Sequence, residues 1–76
     1  MTTLATKTQV NTAIRAINNV YETEVARLID WSSYGDGYAI SIEGPDAIEV
    51  QYRHFPLPKG TYLEAINSAS VRLYRA

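Results

Sequence analysis

Tyr38-Ala39-Ile40-Ser41-Ile42-Glu43-Gly44-Pro45-Asp46-Ala47-Ile48-Glu49-Val50-Gln51-Tyr52-Arg53-His54-Phe55 is the stretch on which the fold of this 76-residue chain turns. Tyr38, Ile40 and Ile42 fall on one side and Ala39, Ser41 and Glu43 on the other, the two-residue period of a half-buried strand. Beyond Gly44-Pro45-Asp46 the alternation resumes. Ile48, Val50, Tyr52 and His54 then oppose Ala47, Glu49, Gln51, Arg53 and Phe55. A shared apolar face requires Ile42 opposite Ile48, Ile40 opposite Val50 and Tyr38 opposite Tyr52. A loop over 44–46 meets that parity, so the stretch predicts an antiparallel β-hairpin. Pro56-Leu57-Pro58 closes the second strand, because proline has no N–H to give to a ladder.

Upstream of the hairpin, Leu4 to Tyr34 contains neither Gly nor Pro. On a helical wheel Val10, Ala13, Ile14, Ile17, Val20, Tyr21, Val25 and Leu28 form one arc, with Asn11, Arg15, Asn18, Asn19, Glu22 and Asp30 opposite. Thr6 and Gln9 have capping-box spacing, so the helix is expected to start there, with residues 1–6 frayed. A competing reading ends the helix near Tyr21 and makes residues 25–33 a strand, with Val25, Ile29 and Trp31 on one face. That strand would also put Arg27 on its apolar side, so the pattern favours one long helix and leaves the strand as the alternative. Trp31 to Gly37 reads as a connection in which Gly35 and Gly37 supply positive-φ positions.

Downstream, Thr61 and Glu64 again have capping-box spacing. Tyr62, Ile66, Ala69 and Leu73 follow at helical intervals, and Arg72 and Arg75 suit the negative end of a helix dipole. The expected fold is α+β: a single domain over 1–76, α-β-β-α in order, with a long N-terminal amphipathic helix, an antiparallel β-hairpin and a C-terminal helix. Both helices would cover one face of the hairpin and leave an edge unpaired. A homodimer that extends the sheet is therefore one expected assembly.

Composition narrows the function classes. With 46% hydrophobic and 20% charged residues the chain lies far from the disordered class. It has no Cys, so neither a disulfide nor a thiolate-held metal supplements its small core. Met1 to Lys7 lacks the apolar run of a signal peptide, and no segment approaches the roughly 18 apolar residues of a membrane span. A cytoplasmic protein without membrane partners is the expectation. The net charge of −1 gives no global attraction to nucleic acid. Its distribution is uneven, however. Residues 31–50 carry Asp36, Glu43, Asp46 and Glu49 with no Lys or Arg, whereas Arg53, Lys59, Arg72 and Arg75 outnumber Glu64 beyond them.

No assembled chemistry is legible. His54 is the one histidine, and no neighbour in sequence supplies the carboxylate and nucleophile that a catalytic base needs. One His without Cys makes no ordinary zinc site. Lys59-Gly60-Thr61 reverses the order of a phosphate loop and lacks its upstream glycine. Neither an enzyme nor a cofactor or metal is expected. Six of the eight aromatics are Tyr, a residue enriched at interfaces for its apolar body and polar tip. These observations point to a small protein-binding module, an inhibitor or adaptor that occupies a partner's surface through Tyr34, Asp36, Glu43, Asp46 and Glu49. Phage and mobile-element proteins that block host machinery share this size and acidity, an analogy of scale only. A second expectation is a nucleic-acid-binding regulator using Arg53, His54, Lys59, Arg72 and Arg75, where bases interleave with aromatics. A homodimeric subunit of a larger assembly is the third.

Overall fold

The computed structural model describes residues 3–30 and 37–76. In chain order it contains β1 (Thr3–Leu4), α1 (Lys7–Tyr21), β2 (Ala26–Asp30), β3 (Tyr38–Ile42), α2 (Ala47–Tyr52), β4 (Thr61–Asn67) and β5 (Ser70–Arg75). The chain is a small α+β unit, but its order is β-α-β-β-α-β-β rather than α-β-β-α. One long helix, one short helix and an antiparallel sheet of five strands replace the expected two helices and hairpin. No described helix is long and apolar enough to cross a membrane.

The N-terminal helix begins where the sequence places it. The Thr6 hydroxyl accepts from the Gln9 N–H at 3.2 Å, and the Gln9 side chain accepts from the Thr6 N–H at 2.9 Å, a complete capping box. It ends at Tyr21, because Glu22 takes the left-handed conformation at φ 58°. The long-helix reading is thus overturned in favour of its competitor: 26–30 is strand. Asn18 makes the difference. Its Oδ1 accepts from the Val25 and Ala26 N–H groups at 2.9 and 2.8 Å, and its Nδ2 donates to the Ala26 carbonyl at 3.2 Å. One side chain on the last turns of α1 thereby replaces the strand partner that Ala26 lacks at the outer edge of β2.

The central hairpin of the sequence reading is also corrected. β3 pairs not with 47–55 but with β2 (Leu28↔Ile40) and with β5 (Ile40↔Val71). Residues 47–52 are helical because Asp46 caps them, its carboxylate accepting from the Ile48 N–H at 2.8 Å, and Glu49 adds an acidic group to the first turn. The apolar residues of this stretch satisfy both periods. Ala47 and Val50, three apart, are fully buried, whereas Ile48 and Tyr52 are 51% and 80% exposed. A six-residue helix is marginal alone. It is held by tertiary bonds: the Ala47 N–H donates to the Ser68 carbonyl at 3.0 Å, and the Gln51 side chain accepts from the Ala65 N–H at 2.7 Å.

The expected C-terminal helix is a second hairpin. β4 and β5 pair from Thr61↔Arg75 through Ala65↔Val71, with a bulge before Asn67↔Ser70. The turn is fixed by Asn67, whose Oδ1 accepts from the Ala69 N–H at 2.8 Å and from the Ser70 hydroxyl at 3.0 Å. Thr61 caps no helix; its hydroxyl donates to the Pro58 carbonyl at 2.6 Å. Buried Leu63, Val71 and Leu73 alternate with Tyr62, Glu64, Arg72 and Tyr74, the strand period hidden beneath a fortuitous helical one.

β5 is central. β4 runs along one of its edges, while β3 and β1 share the other (Ile40↔Val71, Leu4↔Tyr74). Gly37 lies where they meet: its φ of +83° favours glycine, and a Cβ there would press on the end of the Leu4 side chain, 2.8 Å from Cδ1. Cross-strand partners set one face as Ile40, Ile42, Val71, Leu73, Leu63 and Ala65, and α1 (Val10, Ala13, Ile17) and α2 (Ala47, Val50) close over it. Phe55 joins the same core.

Asn18→Ala is expected to lower the unfolding free energy by about 2 kcal/mol, since it strips the Ala26 N–H and carbonyl of their side-chain partner and leaves the Val25 N–H with only the Thr23 carbonyl. Urea denaturation checks this. Asn18→Asp, which keeps both accepted bonds, should lie between the two, and a loss below about 0.5 kcal/mol for the alanine variant would contradict the role assigned to Asn18.

Candidate functional site

The segment from Glu43 to Leu63 carries two unlike surfaces, one built on α2 and one on the chain that follows it. On α2, the cap and the buried pair Ala47 and Val50 fix the rotation of the helix. Ile48 and Tyr52, four residues apart, therefore share its outward side. They are the most exposed large hydrophobic side chains among the described residues. Three carboxylates stand nearby in the chain, all on exposed residues: Glu43 just past β3, Asp46 at the cap and Glu49 on the helix. The Glu43 N–H donates to the Val25 carbonyl at 2.8 Å, which ties the start of this acidic run to the residue preceding β2.

Beyond α2 the chain runs through Arg53, His54 and Phe55 to a turn at Pro58-Lys59-Gly60-Thr61. There the Thr61 N–H donates to the Pro58 carbonyl at 3.1 Å and Gly60 takes φ +77°. Between this turn and the end of α2 lies a cleft of about 330 Å³ open to solvent. Phe55, Leu57 and Leu63 give it an apolar lining. Gln51, Arg53, His54, Lys59 and Tyr62 add polar and aromatic groups, and the lining holds neither Asp nor Glu. The Arg53 guanidinium lies 4.5 Å from the centroid of the Tyr21 ring, within cation–π range. Tyr21 in turn meets Phe55, with ring centroids 6.1 Å apart. Tyr62 stacks on Tyr74 at 5.6 Å and 25°.

The acidic set expected from sequence is placed in part. Glu43, Asp46 and Glu49 are exposed within one short run, though on a loop and a helix rather than on the polar face of a hairpin. Tyr34 and Asp36 lie outside the described residues. Asp46 has a structural duty as the cap, so it is not a free contact residue. Of the basic set, Arg53, His54 and Lys59 converge on the cleft. Arg72 and Arg75 lie on β5: Arg72 stands opposite Glu64, and the Arg75 Nε donates to the Leu4 carbonyl at 3.2 Å. Sequence reasoning missed Ile48, Gln51, Tyr52 and Tyr62 as surface-defining residues. The signal was available in Asp46 followed by Glu49, a helix-start spacing directly before Val50. No group of three His, Asp or Glu residues sits together as a metal would require among the described residues.

Comparison with protein-family models, with curated proteins and with solved structures finds no match to this chain.

Asp46→Ala is expected to cost about 1 kcal/mol of stability, the usual worth of an N-cap, whereas Asp46→Asn should cost only a few tenths because Asn caps as well. The shift in denaturation midpoint measures both. Equal losses for the two variants would show that charge, not capping, is what Asp46 contributes.

Proposed function

We propose that this chain is a small protein-binding module that works in the cytoplasm as an inhibitor or adaptor, by covering part of a partner's surface rather than by chemistry. The observation that carries the proposal is the exposed pair Ile48 and Tyr52, side by side on a helix whose other side is fully buried. Leaving a Tyr four-fifths in water beside an exposed Ile forgoes apolar burial that a partner can recover, at about 25 cal/mol per Å². Aromatic residues are also the commonest anchors of interface hot spots.

The flanking charge selects the partner. Glu43, Asp46 and Glu49 put three carboxylates within the run that leads into and along this helix, with no Lys or Arg before Arg53 at its C-terminal end. The complementary surface is an apolar pocket rimmed by Lys or Arg on another protein. Such rims steer encounter and exclude acidic competitors more than they add affinity. The contact set is therefore Ile48 and Tyr52 as anchors, with Glu43 and Glu49 as the charged rim, and α2 presents them rigidly because its own stability comes from β4 and β5. Asp46 contributes charge while its carboxylate holds the helix.

A photo-crosslinking residue placed at position 52 in the tagged chain tests this in cells of the native host. It is expected to trap one predominant protein, which the same residue at Arg15, exposed on α1, does not trap. Glu43→Lys combined with Glu49→Lys should reduce that adduct by about tenfold or more, the effect of placing like charges across an interface. Equal adducts from positions 52 and 15, or an adduct indifferent to the charge reversal, would refute the proposed surface.

A further inference from the structure

The cleft that follows α2 has a composition that protein docking through Ile48 and Tyr52 does not use. Its lining brings Arg53, His54 and Lys59 together without a single carboxylate. Surface charge on a chain of net charge −1 would normally be mixed in sign, so Arg53 and Lys59 around one apolar floor with no carboxylate form a local field of one sign. From this geometry we infer that the cleft is an anion-binding site that takes a phosphate monoester.

The chemistry selects a phosphate over a carboxylate. Two basic side chains, Arg53 and Lys59, match a dianion, and the imidazole of His54 offers a further hydrogen bond. Arg presents a planar fork that meets two phosphate oxygens at once, while Lys acts as a compact point charge. The Arg53 guanidinium already has one partner beside the cleft, the Tyr21 ring at 4.5 Å, which limits the positions it samples. The turn at 58–61, closed by both the N–H and the hydroxyl of Thr61 on the Pro58 carbonyl, sets the direction in which Lys59 leaves the backbone.

Size and floor identify the organic part. A cleft of about 330 Å³ lies at the small end of ligand pockets, near the volume of a single nucleotide. Phe55 and Leu63 are buried beneath it, and the Tyr62 ring, 39% exposed and backed by Tyr74, stands at its wall. A planar ring joined to the phosphate has an aromatic surface to lie on. The inference rests on residues distinct from the α2 anchors and stands whether or not those anchors bind a partner.

Isotope-labelled whole chain, titrated at constant ionic strength with adenosine 5′-monophosphate, inorganic phosphate and adenosine, tests the site by backbone amide shifts. The nucleotide is expected to saturate shifts confined to residues 51–63 with a dissociation constant below about 1 mM, and adenosine is expected to produce none. Tighter binding of the nucleotide than of phosphate assigns the ester as ligand; equal binding assigns free phosphate to the same cations. Lys59→Gln, exposed and outside the core, should weaken binding about tenfold, the worth of one charge-assisted hydrogen bond. Arg53→Gln should do so equally if its spectrum remains folded, and Lys59→Gln alone decides the matter if it does not. Arg15→Gln is the control and should change nothing. No saturation by either phosphate compound, an equal loss in the Arg15 variant, or shifts that spread to Arg72 and Arg75 with a single-stranded oligonucleotide bound more tightly than the mononucleotide would each overturn the site.

Discussion

Both edges of β5 are occupied, and that double pairing organises the molecule. Val71 faces Ile40 across one edge and Ala65 across the other, and Ser70 likewise faces Ser41 and Asn67, so these two residues join β3 to β4 through β5. Val71 and Leu73 are fully or almost fully buried, as are Ile40, Ile17 and Val50, which reach them from β3, α1 and α2. Each of these side chains contributes roughly 1.5–3 kcal/mol by leaving water. In a chain of 76 residues with no Cys, that shared contact is where stability must concentrate. The entry of β1 beside β3 completes the same edge, next to Gly37, whose φ of +83° favours glycine.

A consequence of placing β5 at the centre is that β2 and β4 become outer strands. Each is met by one side-chain amide from a helix: Asn18 on Ala26 and Gln51 on Ala65. These contacts satisfy edge groups that would otherwise be open to pairing with another chain. Gln51 does more than protect an edge. With the Asp46 cap and the Ala47–Ser68 bond it fixes the rotation of α2, and that rotation buries Ala47 and Val50 while turning Ile48 and Tyr52 outward. The same residue borders the cleft that holds Arg53, His54 and Lys59. The acidic and basic runs noticed in the sequence are thereby delivered to two adjoining segments with different surfaces.

How much of this was legible in the sequence varies by element. The start of α1 was legible because Thr6 and Gln9 interact locally, through bonds three residues apart. Its end was not, since Asn18 acts on Val25 and Ala26 across a reversal that no local pattern announces, and the wheel continued through Val25 and Leu28. The stretch 47–52 satisfies both periods: Ile48, Val50 and Tyr52 alternate, while Ala47 and Val50 keep helical spacing. Capping chemistry at Asp46, not hydrophobic period, decides between them. In 61–75 the error ran the other way. Tyr62, Ile66, Ala69 and Leu73 trace a helical stripe, but β-branched and aromatic residues flank a Ser68-Ala69 turn, and pairing with β3 stabilises strand. Among candidate site residues, the convergence of Arg53, His54 and Lys59 followed from their closeness in sequence. The separation of Arg72 and Arg75 from them followed from the unforeseen hairpin.

Amide hydrogen exchange along β5 tests the central role of that strand most directly. Residues 71–74 are expected to exchange more slowly than any amide of α2 and at the rate of global unfolding, because both edges of the strand must open together. Fast exchange at 71–74, matching that of residues 48–52, or helical carbon shifts running through 61–75, would contradict the fold on which both surfaces depend.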